Sequence, residues 1–232
     1  MISIIIPALN EEKFLPRLLE SIKAQSFRDY EIIVADADSS DKTKKAAKKY
    51  RARIVKGGFP AEGRNSGAKA AKGEWLLFMD ADAQLEKNYL QKAITEIKKR
   101  NLGVAGSRIM PIGNHPLDAV FFAIFNLWAE ATQLFYPNAS GCGIFCKKSL
   151  HEKIKGFDEK IKLSEDMDYV MRAGKVEKFR ILKSTKVNVS MRRFEKEGRF
   201  KIGFKLLFSA IYRAIFGEIR SDVFKYDLRY RK

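Results

Sequence analysis

The chain has 232 residues, of which 46% are hydrophobic, so it is long and apolar enough to bury a core, and this excludes a disordered protein. Its formal net charge of +17 predicts a surface that prefers anions, which are nucleic acid, anionic lipid or a phosphorylated substrate. The first residues, MISIIIPALNEE, lack the basic segment of a signal peptide, and we therefore expect a cytoplasmic protein.

The first part of the chain alternates short apolar runs with segments that have apolar residues at helical spacing. Strands that are apolar on both faces and are separated by helices predict a parallel sheet wrapped by helices. Ligands of such sheets bind beyond the carboxyl ends of the strands. The predicted strands are 2–6, 31–35, 53–55 and 75–79.

From about residue 103 the pattern is less regular, with predicted strands at 104–107, 143–146 and 187–190. Residues 117–136 form a long apolar segment whose polar residues would share one stripe of a helix. Two carboxylates in this stripe argue against a membrane-spanning helix. Two alternatives stay open, a core helix under the acceptor site and a surface that meets lipid. The polar residues are Asp118, Asn126, Glu130 and Gln133.

The last 41 residues, from Arg192, contain twelve Lys and Arg against five Asp and Glu. Within them, one predicted helix face carries large apolar side chains, whereas Lys201, Lys205 and Arg213 lie elsewhere. A basic amphipathic helix rich in phenylalanine is typical of the surface of an anionic membrane. The alternative is packing against the rest of the protein. The apolar positions are Phe200, Phe204, Leu207, Phe208, Ile211 and Ile215.

Two aspartates, Asp80 and Asp82, follow directly on the buried run WLLFM. Like charges beside a core raise each other's energy unless a positive group lies against them. Two carboxylates at a strand end can share a divalent cation whose other ligands are water and substrate phosphates. A solvated turn that caps the next helix is the alternative.

Three further segments carry polar groups at positions suited to ligands. Asp36 follows the second strand and could accept hydrogen bonds from a nucleobase or a ribose. Arg64 lies at a predicted helix start and suits an anion, although a surface arginine is an equal alternative. Glu165 and Asp166 begin a predicted helix near Ser164. The helix dipole stabilises acidic residues at this position, and the alternative is that one of them is a general base.

Three blocks of sequence together resemble family-2 inverting glycosyltransferases with the GT-A fold, over about residues 1–173. They are SIIIPALNEEKFLPRLLESIKAQSFRDYEIIVADADSSDKT, RNSGAKAAKGEWLLFMDADAQL and SGCGIFCKKSLHEKIKGFDEKIKLSEDMDYVMR. The resemblance implies an α/β fold, with a mostly parallel Rossmann-like sheet flanked by helices. The amphipathic pattern of the last residues adds a C-terminal helical extension.

The resemblance and the pattern of the basic tail together give the expected domains. A GT-A catalytic domain would occupy 1–190, with a nucleotide-sugar half at about 1–107 and an acceptor half at about 108–190. The basic amphipathic extension would occupy 191–232. The chain lacks a Gln-x-x-Arg-Trp motif, which argues against a processive polysaccharide synthase.

Carried over by position, the resemblance assigns the donor site. Pro7, Asn10 and Glu11 would belong to the nucleotide pocket, Asp36 would contact the base or ribose, and Arg64 would face the diphosphate.

The remaining positions concern the sugar, the metal and the acceptor. Asp80 would contact the ribose or the sugar, and Asp82 would bind Mg²⁺ or Mn²⁺. Asp166, with Glu165 beside it, would be the base that acts on the acceptor. In the family, residues such as Arg192 and Arg193 can cover the diphosphate.

The resemblance therefore implies an inverting transfer of a sugar from a nucleoside-diphosphate sugar to an acceptor hydroxyl. The amphipathic patterns of 117–136 and of the basic tail add the expectation that the acceptor is lipid-linked or near a membrane, and that the enzyme is peripheral on the inner face of the cell membrane. A related alternative is a polyprenyl-phosphate glycosyltransferase, which needs no strong base. A basic nucleic-acid-binding protein is an alternative of another class, but the basic residues form no recognisable reading motif, and we expect no nucleic-acid partner.

Overall fold

The computed structural model describes residues 1–221, apart from the side chains of residues 207 and 214. The predicted extension 191–232 therefore lies partly outside the described residues, as does the predicted apolar side chain of Leu207. Eight strands are formed by the described residues: β1 Ile2–Ala8, β2 Tyr30–Asp36, β3 Arg53–Lys56, β4 Trp75–Phe78, β5 Ala83–Leu85, β6 Val104–Ile112, β7 Ile144–Lys147 and β8 Phe179–Ser190.

Nine helices are formed by the same part of the chain. They are α1 Leu15–Lys23, α2 Thr43–Lys49, α3 Pro60–Ala70, α4 Tyr89–Arg100, α5 Pro116–Thr132, α6 Lys148–Lys153, α7 Glu165–Gly174, α8 Arg192–Glu197 and α9 Arg199–Phe216.

The eight strands form one sheet in the order β3-β2-β1-β4-β7-β6-β8-β5. Strands β3, β2, β1 and β4 are parallel, whereas β7 and β5 run antiparallel to their neighbours. Helices cover both faces, and β1 shows why its sequence is continuously apolar. Ile4 and Ile6 pack into the core on one face of the sheet, and Ile5 packs into the core on the other. The predicted α/β architecture is confirmed.

The sheet is larger than the sequence predicts at the end formed by β8 and β5. The predicted strand 187–190 is only the end of the twelve-residue β8, and β5 was not predicted at all. In the middle of β8 the backbone N–H groups of Lys183 and Ser184 donate to the carboxylate of Glu96 in α4. This long-range contact leaves no periodic pattern in the sequence.

Helix α5 turns its predicted polar stripe towards the sheet. The Asn126 side chain accepts from the N–H of Ile109 and donates to its carbonyl, and Glu130 forms a two-bond ion pair with Arg108. The apolar residues Val120 and Ile124 are exposed instead. A helix of this polarity differs from the core helix that was one of the two sequence alternatives.

Helix α9 has the same reversed polarity. Its buried positions among the described side chains are Ile202, Ser209 and Arg213, and Arg213 is ion-paired with Glu218 and contacts the Met167 sulfur of α7. No helix within residues 1–221 is both long and apolar enough to cross a bilayer. The large apolar side chains that α9 exposes are Phe200, Phe204, Leu206, Phe208, Ile211, Ile215 and Phe216.

Candidate active site at the carboxyl ends of the strands

The carboxyl ends of β1, β2 and β4 lie side by side at one edge of the sheet. Ala8 at the end of β1 pairs with Asp36 at the end of β2, and Ile5 pairs with Phe78 at the end of β4. The loops that follow these strands therefore bring the predicted polar residues to a common edge.

Asp36 has a buried carboxylate with one oxygen unused. Its Oδ1 accepts from the N–H of Ser39 at 3.0 Å and lies 3.4 Å from the Lys44 ammonium. Its Oδ2 is buried and has no hydrogen-bond partner within the described residues. A buried oxygen without a donor suggests that a ligand supplies the missing hydrogen bond.

Asn10 in the loop after β1 and Pro7 within β1 are two further residues that the resemblance assigns to the nucleotide pocket. Asn10 has a left-handed backbone, with φ of 54°, and its N–H donates to the hydroxyl of Ser39 at 2.9 Å. Its side-chain oxygen accepts from the N–H of Ser40. Pro7 is buried in β1, and its ring lies against Gly63 of α3.

A first ion-pair cluster joins the loop after β1 to the beginning of α8. Arg192 donates to both carboxylate oxygens of the buried Glu11, at 2.8 and 2.7 Å, and its Nε lies 2.9 Å from Asp82. The guanidinium carbon lies 4.4 Å from the centre of the Phe14 ring. Burial acts to lower the pKa of Arg192, but its hydrogen bonds to Glu11 and the charges of nearby aspartates raise it overall.

A second cluster surrounds Arg64, which α3 holds in a buried position. Its guanidinium donates to Asp80 at 3.0 Å and to Glu165 at the start of α7, and it lies over the ring of Phe157. Burial opposes the charged form, but Glu165, Asp80 and Asp166 outweigh it and raise the pKa of Arg64. Arg64 therefore remains a cation that holds these carboxylates together.

Asp166 lies beside Arg64, in the first turn of α7. Its Oδ2 accepts from the N–H of Gly141 at 2.6 Å, and its Oδ1 accepts from the N–H of Met167 at 2.9 Å. Burial, and next the charge of Glu165, raise the pKa of Asp166 to about 7, although Arg64 and the two hydrogen bonds act to lower it. A carboxylate with a pKa near neutrality is suited to take up a proton during a reaction.

Asp80 connects the two clusters. Its side chain is 37% exposed, and its charge acts on both Arg64 and Arg192. Asp82 is two residues further on and is bound to Arg192. The predicted residues of the donor and acceptor halves therefore meet at one edge, through two arginines that come from distant parts of the chain.

Arg193, which the resemblance places near the diphosphate, forms an ion pair with Glu197 of its own helix α8.

Two residues that no sequence motif singled out belong to the Arg64 cluster. A Cβ atom at Gly141 would lie 2.5 Å from the Arg64 Nη2 and 3.2 Å from the Asp166 Oδ2, so a larger residue there would require the Arg64 guanidinium to move. Phe157 supports the guanidinium from its face. Both lie inside quoted motifs, SGCG and GFDEK, but their partners lie far away in the sequence.

The residues present fit a divalent cation that binds together with a phosphate-bearing ligand. Within residues 1–221 there is no group of three or more Asp, Glu, His or Cys that could hold an ion alone. Asp80 and Asp82 provide carboxylate oxygens, and Mg²⁺ is commonly bound by one or two carboxylates, water and substrate phosphates.

Comparison with known proteins identifies the class. The mannosyltransferase PcManGT from Pyrobaculum calidifontis, solved in complex with GDP-Man and Mn²⁺, superposes with a TM-score of 0.68 at 20% identity, over 81% of this chain and 56% of that chain. This likeness supports the GT-A fold, which is thereby confirmed. Residues 3–149, more than half of the chain, match the family described as Glycosyl transferase family 2. The protein belongs to glycosyl transferase family 2, as the resemblance implied.

Two curated relatives cover different shares of the chain. Poly(ribitol-phosphate) beta-N-acetylglucosaminyltransferase TarS of Staphylococcus aureus is 28% identical over 184 residues, which are 74% of this chain and 32% of the relative. The GalNAc(5)-diNAcBac-PP-undecaprenol beta-1,3-glucosyltransferase of Campylobacter jejuni is 34% identical over 114 residues, which are 45% of this chain and 36% of the relative. The chain thus spans about a third of the length of these two curated relatives.

Proposed function

We propose that the protein transfers a sugar from a nucleoside-diphosphate sugar to an acceptor hydroxyl, with inversion at the anomeric carbon. The observation that carries this proposal is the position of Asp166, which accepts from Gly141 N–H beside the Arg64 guanidinium at the carboxyl edge of the sheet. Burial and the charge of Glu165 raise its pKa, which agrees with this role. Membership of glycosyl transferase family 2 gives the class of reaction.

The nucleotide would bind on the side of Asp36, Asn10 and Glu11, with Pro7 in the wall of the pocket. The unused, buried Oδ2 of Asp36 supports this assignment, because it can accept from a base N–H or a ribose hydroxyl. A nucleotide sugar is also what the names of similar proteins indicate, since PcManGT was solved with GDP-Man.

The diphosphate would lie between the two clusters. Arg64 and Arg192, with Arg193 nearby on α8, supply positive charge there, and Asp80 would contact the ribose or the sugar. Asp82, with Asp80 beside it, would hold Mg²⁺ or Mn²⁺. When bound, such a cation stabilises negative charge on the departing diphosphate.

Asp166 in its carboxylate form would remove the proton from the acceptor hydroxyl. The acceptor oxygen forms its bond to the anomeric carbon on the face opposite the diphosphate, and the bond from that carbon to the diphosphate oxygen breaks. Glu165 holds Arg64 and raises the pKa of Asp166, so it would tune the base rather than accept the proton. A hydroxyl acceptor needs a base, whereas a polyprenyl phosphate is already ionised, so the position of Asp166 supports the hydroxyl acceptor.

A screen for binding of nucleotide sugars tests the proposal. The thermal stability of the protein would be measured with UDP-, GDP- and dTDP-sugars, each with and without Mn²⁺. We expect sugars of one nucleoside to raise the melting temperature, and to raise it more with Mn²⁺, because a ligand that binds only the folded state stabilises it. If none of them changes the melting temperature, the proposal is contradicted.

We further propose a division of the chain and a location. Residues 1–107 would bind the donor, residues 108–190 would bind the acceptor, and the segment from 191 would be a basic amphipathic extension on an anionic membrane. The polarity of α5 and α9 supports this proposal, because both helices bury polar residues in their contacts and expose several large apolar side chains.

The contact between α5 and α9 fixes these two helices to each other. Arg199 at the start of α9 donates two hydrogen bonds to the buried Asp118 of α5, at 2.8 and 2.9 Å. Exposed phenylalanines of α9 with the net positive charge of the chain suit the interface of an anionic bilayer. The acceptor would then be lipid-linked or close to the membrane on its cytoplasmic side, as the undecaprenol-linked name of one relative suggests.

Sedimentation with lipid vesicles tests the membrane proposal. We expect more protein to bind anionic than neutral vesicles, and we expect high salt to reduce this binding. The double variant Phe204→Ser with Phe208→Ser should bind anionic vesicles at least about tenfold more weakly. Burial of each phenylalanine side chain in the bilayer interface contributes about 1.5–3 kcal/mol to the binding free energy.

Val176→Ser, which changes another exposed apolar residue after α7, is the control and should bind like the wild type. Equal binding to neutral and anionic vesicles would contradict the electrostatic part. Unchanged vesicle binding by the double variant would show that the exposed face of α9 is not the membrane-binding surface.

A further inference from the structure

Arg192 satisfies two carboxylates at once. Three of its nitrogens are used, with Nη1 and Nη2 on Glu11 and Nε on Asp82, and the ring of Phe14 lies against the guanidinium. Glu11 is fully buried, and removal of a hydrogen-bonded cation from a buried carboxylate is costly. The pair with Glu11 is therefore the fixed part of this contact.

The contact with Asp82 is the part that can be exchanged. It involves one nitrogen, and Asp82 is the residue that the proposed function assigns to the divalent cation. Two cations on one carboxylate repel each other strongly at a few Å separation. Arg192 can give up Asp82 and still keep both hydrogen bonds to Glu11.

We propose that Arg192 is an internal counter-ion that competes with the divalent cation for Asp82, and that its Nε–H donates to the donor diphosphate in place of Asp82 when cation and donor bind. This inference rests on the proposed function and deepens it. In the donor-free protein Arg192 neutralises Asp82 in place of the metal. The cation consequently binds weakly alone and tightly with the diphosphate, which attracts the released guanidinium.

The position of Arg192 at the start of α8 adds a structural connection. On the same helix, Phe194 packs near Phe122 of α5, and Glu197 lies 3.9 Å from the Lys205 ammonium of α9. A change of partner at Arg192 therefore occurs on the helix that also contacts α5 and α9.

Titration with Mn²⁺ alone, followed by electron paramagnetic resonance, tests the competition without any turnover. We expect Arg192→Gln to bind Mn²⁺ about tenfold more tightly than the wild type, because Asp82 loses its competing charge. The same variant should bind UDP or GDP in the presence of Mn²⁺ about tenfold more weakly, because the diphosphate loses a cation. A purely structural defect would weaken both ligands, so the opposite signs identify the exchange.

Arg100→Gln is the matched control. The Arg100 side chain is 26% exposed against 29% for Arg192, and it pairs with Glu96 and the carbonyl of Ile181 rather than with any residue of the site. Arg100→Gln removes the same charge as Arg192→Gln, but it should leave the affinities for Mn²⁺ and for the nucleotide unchanged. Arg192→Lys keeps a charge but offers a single ammonium for two carboxylates, so we expect a smaller gain in Mn²⁺ affinity than with glutamine.

The outcomes separate this inference from the proposed function. Unchanged or weaker Mn²⁺ binding in the Arg192 variants overturns the inference, even where nucleotides still bind. If Mn²⁺ binds neither wild type nor variants, the inference is also overturned. Nucleotide binding measured in EDTA then decides whether the proposed donor site stands without a metal.

Discussion

Replacement of Asp166 by asparagine is expected to lower the rate of sugar transfer by about 10²–10⁴-fold, the usual contribution of a general base. Donor affinity should change by no more than about twofold, since asparagine keeps the shape of the side chain and its amide oxygen can still accept from Gly141 N–H. The measurements are the initial rate of nucleoside-diphosphate release with acceptor present and a binding titration with the donor.

Asp168→Asn is the control for this variant, because Asp168 lies on the same helix but is paired with Arg172. It should retain most of the rate. Unchanged turnover in Asp166→Asn would remove Asp166 from the mechanism and would favour the polyprenyl-phosphate acceptor, which needs no strong base.

The rate of the wild type should also depend on pH. Because the pKa of Asp166 is raised to about 7, the rate should rise as the pH increases through about 7 and level off above it. The same shift affects stability. The group stabilises the folded state fully below its unfolded pKa of 3.8, and this contribution is lost as the pH rises through about 7. The pH-dependent rise in rate should be missing in Asp166→Asn.

Replacement of Arg64 by glutamine is expected to lower the free energy of unfolding by about 3–5 kcal/mol, the cost of removing one partner from a buried ion pair. Arg64 is the cation between Asp80 and Glu165, and it also acts on Asp166. For a chain of this size the loss corresponds to a fall of about 6–20 °C in melting temperature. Denaturant unfolding followed by circular dichroism measures it.

Arg53→Gln is the control for this variant, since Arg53 donates to the end of the same helix α3 from an exposed position. It should cost less than about 1 kcal/mol. The defect of Arg64→Gln should shrink at low pH, where the carboxylates become protonated. A loss under about 1 kcal/mol, or an equal loss at all pH values, would contradict the role of Arg64 as their counter-ion.

The nucleotide-binding half of the fold is predictable because its information is local. Continuous apolar runs at 2–6 and 75–79 can only be buried on both faces, which requires a parallel sheet between helices. Apolar spacing in α1 likewise shows which side faces the sheet, and Leu15, Leu18 and Ile22 are buried.

The other half of the sheet is not predictable in this way. Strand β8 is held at its centre by Glu96, which is 87 or more residues away, and the polar residues at 183 and 184 interrupt its apolar pattern. The polarity of α5 and α9 also depends on distant partners. Asp118 and Arg199 are 81 residues apart, so the sequence reveals an apolar face but not which face is buried.

The candidate site likewise has a part that is predictable from local sequence and a part that depends on distant contacts. Motif spacing singles out Asp36, Asp80, Asp82 and Asp166 as candidates, because each lies at or just after the end of a strand or in the first turn of a helix. It cannot reveal the contacts that hold them, since Arg192 reaches Glu11 across 181 residues.

Calorimetric titration of the donor selected by the screen, in the presence of Mn²⁺, tests the central claim most directly. That claim is that carboxylates from separate segments meet at one edge of the sheet to bind a nucleoside-diphosphate sugar. The account predicts saturable binding by the wild type, binding at least about tenfold weaker in Asp36→Asn, and in Asp82→Asn a loss of the dependence on Mn²⁺. Equal affinity and equal Mn²⁺ dependence in all three proteins would contradict it.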